Sequence, residues 1–111
     1  MLTDNQRERF VKQIAEICNC RVEKKPRLGE YKAYKKPYLR EIQLSFHEIC
    51  GKQPYADIYD PKNDRWYILN YCGISGMYYL QENHDNGEIQ DWKVSKTLTP
   101  CLRELKRLLH G

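Results

Sequence analysis

Residues 55–80 read YADIYDPKNDRWYILNYCGISGMYYL and combine a dense set of aromatic residues with two groups of turn residues. The turn groups are residues 60–64 and residues 73–76, and both contain residue types that stabilise tight reversals of the chain. Tyrosine, tryptophan and isoleucine are favoured on the pleated surface of a strand. The stretch therefore predicts three antiparallel strands, about Tyr55 to Tyr59, Arg65 to Cys72 and Met77 to Gln81.

Alternating residues predict one further strand on each side of this stretch. Ile42, Leu44 and Phe46 share one parity while polar residues occupy the other, which is the period-two pattern of a half-buried strand. The pair Asn86-Gly87 tolerates the positive φ of a hairpin turn, and residues 88–94 follow it as the last predicted strand. The central part of the chain therefore predicts an antiparallel meander of four to five strands.

The N-terminus carries a helical pattern. Thr3 and Gln6 have the spacing of a capping box, in which each side chain bonds to the backbone amide of the other residue. Apolar residues then recur at helical spacing at Phe10, Ile14 and Ile17, which predicts an amphipathic helix. We expect this helix to end between Ile17 and Asn19.

A second helix is predicted at the C-terminus. Thr99 and Pro100 are expected to supply its N-cap and its first helical residue. An apolar stripe follows at helical spacing, formed by Leu102, Leu105, Leu108 and Leu109. Both terminal helices can therefore cover one face of the sheet.

These elements predict an α+β fold with an N-terminal helix, an antiparallel meander of four to five strands, and a C-terminal helix packed on the sheet. The alternative is a small, partly closed β-barrel with flanking helices. Residues 1–111 form a single globular domain in either case. Within it, Pro26, Gly29 and Pro37 interrupt regular structure, so residues 21–37 are expected to form a basic irregular or edge-strand arm.

The net charge of +4 is unevenly divided along the chain. Residues 1–52 carry a balance of +5, residues 53–96 a balance of −3 and residues 97–111 a balance of +2. The aromatic sheet is therefore the acidic part of the sequence, and the basic excess lies between residues 21 and 40.

Composition also restricts the compartment. The sequence has no run near the ~18 apolar residues that a membrane span needs, and its N-terminus lacks the layout of a secretory signal. Five cysteines in such a chain are typical of a reducing compartment in which thiols stay free. We therefore expect a soluble cytoplasmic protein with no membrane partner.

The basic arm offers one functional alternative, which is binding of single-stranded nucleic acid. Lysines that could contact phosphates alternate there with rings on which bases could stack. The residues concerned are Lys24, Lys25, Arg27, Tyr31, Lys32, Tyr34, Lys35, Lys36 and Tyr38. The same cations could instead protect an edge strand from aggregation, and a pI of about 8.8 is below the range of dedicated nucleic-acid domains.

Metal binding and catalysis have weaker support. Cys18, Cys20, His47 and Cys50 are residue types that bind zinc, but one residue between the first two cysteines is too few for a zinc knuckle, so we predict no metal and no cofactor. The sequence contains no phosphate-binding glycine loop and no nucleophile elbow. We therefore predict no catalytic residue, and an enzyme with unrecognised chemistry, using His47 or His84 with carboxylates, remains an alternative.

The aromatic surplus instead indicates a binding protein. Tyrosine and tryptophan are the residues that form hot spots at protein interfaces, and this chain has nine tyrosines and two tryptophans. On a period of two, Tyr67 and Tyr71 share one face of their strand while Trp66 and Ile68 share the other, so both faces are apolar. We expect a protein partner, or a second copy of the chain, to dock on this sheet. The candidate residues are Tyr55, Tyr59, Trp66, Tyr67, Tyr71, Tyr78 and Tyr79.

Overall fold

The structure, a computed structural model, describes residues 2–23, 32–34, 42–49 and 53–111. The described elements, in chain order, are α1 (Asp4–Ile17), β1 (Arg21–Glu23), β2 (Lys32–Tyr34), β3 (Gln43–Ile49), β4 (Gln53–Asp60), β5 (Arg65–Cys72), β6 (Met77–Asn83), β7 (Ile89–Ser95) and α2 (Leu98–His110). The predicted α+β fold is confirmed.

The main sheet is an antiparallel meander in the order β3-β4-β5-β6-β7. Strands β3 and β7 lie at its two edges and do not pair with each other, so the sheet is not closed. The alternative prediction of a partly closed barrel is therefore wrong. Closure would need the meander to curl until its first and last strands could share a hydrogen-bond ladder, and here both helices occupy one side of the sheet instead.

The turns follow from their residue types. In the β4–β5 turn, the Asp60 carboxylate accepts hydrogen bonds from the Lys62 amide at 3.1 Å and from Asn63 Nδ2 at 2.8 Å. In the β5–β6 turn, Gly76 has a φ of +70° and its amide donates to the Cys72 carbonyl at 2.8 Å. A positive φ is strained for residues with a Cβ, which explains glycine at position 76.

Helix α1 confirms the predicted capping box. The Thr3 hydroxyl accepts from the Gln6 amide at 3.2 Å, and Gln6 Oε1 accepts from the Thr3 amide at 2.8 Å. The helix ends at Ile17, after which Asn19 adopts a φ of +56°. The end is therefore within the predicted range.

Helix α2 begins earlier than predicted. Its first residue is Leu98 and its N-cap is Thr97, so the assignment of Thr99 as N-cap and Pro100 as first helical residue is wrong. Leu98 is buried in the core, and its burial favours an earlier start. Proline is tolerated throughout the first turn because the amides there have no intrahelical acceptor.

Two short strands occur within the predicted arm at residues 21–37. β1 and β2 pair in antiparallel register, with Val22 opposite Ala33. β1 contacts α1, and β2 contacts β3. The rest of the arm lies outside the described residues.

Both helices pack on the same face of the main sheet. Phe10 of α1 contacts the ring of Phe46 on β3 and stacks on Tyr78 of β6, both with ring centroids 6.4 Å apart. The buried strand residues of this core alternate with period two: Leu44, Phe46, Ala56, Ile58, Tyr67, Leu69, Tyr78 and Leu80. Within the described ranges, no helix is long and apolar enough to cross a membrane.

A bulge in the β6–β7 pairing changes the alternation of the last strand. The register shifts between Leu80 and Gln81, and the Trp92 side chain turns towards the helices, where its Nε1 donates to Glu82 Oε1 at 3.0 Å. The Glu82 carboxylate is buried, and Arg65 lies 3.6 Å from the same oxygen. Trp92 therefore packs against the core.

Candidate functional site

The side of the main sheet opposite the helices is the candidate site, and we call it the open face. Residues directly opposite each other on paired strands have side chains on the same side of the sheet. The register therefore arranges most of the open face in three rows: Gln43, Tyr59, Trp66, Asn83 and Ile89; Ser45, Asp57, Ile68, Gln81 and Asp91; and His47, Tyr55, Asn70, Tyr79 and Val94.

Exposed apolar side chains are concentrated on this face. Trp66 is 47% exposed, Ile89 58% and Val94 38%, although residues of these types are usually buried. Ile68, at the centre of the sheet, is buried although it does not belong to the helix-side core. Polar residues lie between these side chains, Asn83 between Trp66 and Ile89 and Asp91 between Ile89 and Val94.

Two ring pairs stabilise the aromatic part of the open face. Tyr59 and Trp66 lie in adjacent strands with ring centroids 4.3 Å apart, and the Tyr59 hydroxyl donates to Asp64 Oδ1 at 2.8 Å. That hydrogen bond raises the pKa of Tyr59. His47 contacts the Tyr55 ring edge-to-face at 5.9 Å. These contacts fix the positions of the rings on the open face.

The polar groups of the open face make it acidic. Asp57 and Asp91 lie in its middle row, and Gln81 Nε2 donates to Asp91 Oδ1 at 2.8 Å. Within the described strands β3 to β7 no lysine or arginine belongs to these rows. Arg65 lies on the helix side near Glu82, and Lys93 pairs with Leu80, which is a core residue.

Ser45, His47 and Asp57 are close together but do not form a catalytic triad. The Ser45 hydroxyl lies 3.2 Å and the Asp57 carboxylate 3.3 Å from the same nitrogen of His47, Nε2. A triad needs the nucleophile and the carboxylate on different imidazole nitrogens, so that one proton is accepted while the other is held. In this arrangement the cluster does not provide a nucleophile-base relay.

The seven predicted partner-binding residues are divided between the two faces. Tyr55, Tyr59, Trp66 and Tyr79 lie on the open face. Tyr67 and Tyr78 are buried in the core, and Tyr71 packs against it. Partial burial, followed by the nearby Asp57 carboxylate, raises the pKa of Tyr55. The first four can contact a partner directly, whereas the buried rings support the sheet from beneath.

Sequence reasoning missed four residues of this site: Asp57, Asp91, Ile89 and Val94. The period-two pattern of the aromatic strands places Asp57 on the same face as Tyr55 and Tyr59, so Asp57 could have been predicted from the sequence. Asp91 and Val94 are separated by the residues of the bulge, and a strict alternation would have put them on opposite faces. At the bulge, Trp92 turns to the helix side and donates to Glu82, and no local pattern indicates this contact between strands.

The predicted nucleic-acid residues lie mostly outside the described residues. Lys32 and Tyr34 belong to β2, and the other seven fall in segments that the structure does not describe: Lys24, Lys25, Arg27, Tyr31, Lys35, Lys36 and Tyr38. That alternative remains a prediction.

Of the possible zinc ligands, Cys18 and Cys20 are close together, with the Cys20 sulfur 3.5 Å from the Cys18 carbonyl, but His47 does not join them. Cys18 is the C-cap residue of α1 and is buried, and this burial raises the pKa of its thiol. His47 belongs to the open face, on the other side of the sheet, and Cys50 is outside the described residues. The described residues include no group of His, Cys, Asp and Glu that could hold a metal ion.

His84 offers no clearer catalytic arrangement. Its ring lies 2.9 Å from Gln90 Oε1 and 3.6 Å from Glu82 Oε2, close to the turn between β6 and β7. These contacts hold the end of the hairpin together.

Comparison of the chain with models of protein families, with curated proteins and with solved structures finds no match in any of the three.

Proposed function

We propose that this protein is a non-catalytic binding protein whose open face docks a basic segment of a protein partner. One observation carries the proposal: exposed Trp66, Ile89 and Val94 share this face with aspartates, and no lysine or arginine of the described strands β3 to β7 lies there. Apolar anchors would provide affinity and the acidic groups would select the partner.

The aromatic pair supports this partner chemistry. Arginine and lysine side chains bind over the faces of tryptophan and tyrosine by cation–π interaction. Trp66 is half exposed and its ring is held by Tyr59 at 4.3 Å. A guanidinium stacked on this pair would lie near the Asp64 carboxylate, which Tyr59 contacts.

The acidic groups support it independently. Asp57 and Asp91 lie in the row between the aromatic ends of the face. Aspartates attract a basic segment and repel the phosphates of nucleic acid. The open face therefore favours a cationic protein over a nucleic acid, and the nucleic-acid alternative depends on the arm alone.

A cytoplasmic location is part of the same proposal. Cys18, Cys72 and Cys101 are free thiols, and free thiols persist in reducing compartments.

The experiment measures binding of fluorescent peptides to the full chain by anisotropy. The probe alternates arginine with leucine, and a matched peptide of glutamate and leucine is the control ligand. We expect Trp66→Ala to weaken binding of the basic peptide by about tenfold or more, since truncation of a hot-spot residue costs about 2 kcal/mol or more. Ile74→Ser is the control variant, because Ile74 is 99% exposed in the β5–β6 turn, beyond the rows of the open face.

The outcomes separate the candidate partners. Equal binding of the acidic peptide, or equal affinity for the Trp66→Ala and wild-type chains, contradicts docking on the open face. If light scattering shows a dimer of the wild-type chain and a monomer of Trp66→Ala, the molecule that binds the open face is a second copy of the chain. If a single-stranded oligonucleotide binds more tightly than the basic peptide, and its affinity falls steeply as salt is added, the result would favour nucleic-acid binding by the basic arm.

A further inference from the structure

A cleft of about 370 Å³ lies on the helix side of the sheet, where the first turns of α1 and α2 meet. Its walls include Gln6 and Arg9 of α1, Tyr78 of β6, and Lys96, Thr97 and Thr99 at the start of α2. This lining contains two cations and no carboxylate. The cleft is on the opposite side of the sheet from the open face, so it is independent of the function proposed above.

The start of α2 supplies backbone donors to this cleft. Thr97 is the N-cap residue, and its side chain makes no capping hydrogen bond. The amides of the first helical turn have no intrahelical acceptor, and the helix dipole adds partial positive charge at the same place. Leu98 and Thr99 therefore offer amides that an anion could accept from.

Tyr78 provides a second, independent indication of a ligand. Its side chain is only 6% exposed, yet its hydroxyl has no hydrogen-bond partner among the described residues. Among the described side chains, Gln53 Oε1 is the wholly buried polar atom that lacks a partner. The Tyr78 hydroxyl must therefore reach accessible space, and its side chain lines this cleft beside Arg9.

The hydroxyl is a donor at neutral pH. Burial raises the pKa of Tyr78, which keeps the phenol protonated. Because the hydroxyl reaches the cleft and has no acceptor among the described residues, it is available to donate to a ligand oxygen. The cleft is therefore lined by donors from both helices and from the sheet.

We propose that this cleft binds a phosphoryl group, either free phosphate or the phosphate of a small monoester, through the N-terminus of α2 and the side chains of Arg9, Lys96 and Tyr78. A tetrahedral dianion has enough oxygens to accept from all of these donors at once. The volume is at the lower end of small-molecule sites, which leaves room for a small organic group beside the phosphate.

The test titrates the isotope-labelled full chain with sodium phosphate and, in parallel, with glycerol phosphate, at constant ionic strength. We expect the Leu98 and Thr99 amide resonances to shift with a Kd in the millimolar range. Arg9→Gln should weaken binding about tenfold, and Tyr78→Phe, which keeps the ring, about threefold to tenfold. Lys12→Gln is the matched control, since it removes the same charge from an exposed position of α1 that does not line this cleft.

Each outcome decides the proposal. Tighter binding of the monoester supports the site and assigns a small phosphorylated molecule, and binding of phosphate alone supports it with free phosphate as the ligand. The absence of shifts at the two amides with both ligands overturns the proposal. Equal weakening by Lys12→Gln and Arg9→Gln also overturns it, because that result would show attraction by net charge alone.

Discussion

The cysteines illustrate how strongly position changes the chemistry of one residue type. Cys101 of α2 is fully buried against β6, and burial raises the pKa of its thiol to about 11. Cys72 is the last residue of β5 and directly precedes the β5–β6 turn. Hydrogen bonds from the Ser75 amide and hydroxyl and from the Ile74 amide lower the pKa of Cys72. Since the thiolate is the reactive form, these two thiols should differ in reactivity.

We predict that iodoacetamide modifies Cys72 faster than Cys101 in the folded protein. The lowered pKa gives Cys72 more thiolate near neutral pH, whereas Cys101 is protonated and inaccessible. Alkylation followed by peptide mass spectrometry over a pH series measures both rates. Ser75→Ala removes one hydrogen bond to the Cys72 sulfur, and the pH midpoint of its reaction should then move upward. Equal rates at Cys72 and Cys101 would contradict the prediction.

The two helices differ in how their N-termini are satisfied. In α1, Thr3 and Gln6 form reciprocal hydrogen bonds that satisfy amides at the start of the helix. In α2, Thr97 occupies the equivalent N-cap position without a side-chain bond. The stability of α1 therefore includes a local contribution that α2 lacks, and α2 depends more on its buried leucines, among them Leu105 and Leu109.

We predict that Thr3→Ala lowers the free energy of unfolding by about 1 kcal/mol, because it removes the capping hydrogen bond. Thr97→Ala is the matched control, and its cost should be only a few tenths of a kcal/mol, since no such bond is lost. Urea unfolding followed by tryptophan fluorescence measures both. Equal costs for the two substitutions would show that the capping box contributes nothing specific.

At the scale of the whole molecule, contacts between distant parts of the chain join the sheet to the layer formed by α1 and α2. Phe10 bridges β3 and β6 through Phe46 and Tyr78. His110 Nε2 lies 2.6 Å from the Ile17 carbonyl and so links the C-terminal ends of both helices. Arg107 lies over the Trp92 ring at 5.8 Å and connects α2 to β7. These contacts hold both helices on one side and leave the other side open.

We predict that Phe10→Ala lowers the free energy of unfolding by about 3–5 kcal/mol, the usual cost of deleting a buried aromatic ring. That is a large part of the roughly 5–15 kcal/mol that stabilises a domain. Ile74→Ser serves as the control and should change stability by less than about 0.5 kcal/mol, because Ile74 is on the surface. A small effect at Phe10, measured by denaturant unfolding, would contradict its bridging role.

The secondary structure was largely predictable because its causes are local. The strand Arg65–Cys72 has the predicted bounds, since turn residues flank it on both sides. The capping box likewise predicted the start of α1. The start of α2 was not predictable, because the burial of Leu98 under tertiary packing outweighed the preference of proline for the first helical position.

The sequence by itself determined the helices, the meander and the alternation of its aromatic residues, because spacing, caps and turns act over a few neighbouring residues. Only the tertiary structure decided which face of the sheet the helices cover. That choice buried Tyr67 and Tyr78, exposed Trp66 and Ile89, and brought Arg9 beside the start of α2. The physical reason is that covering a face depends on how side chains from distant segments fill one common volume, and no local pattern specifies that volume.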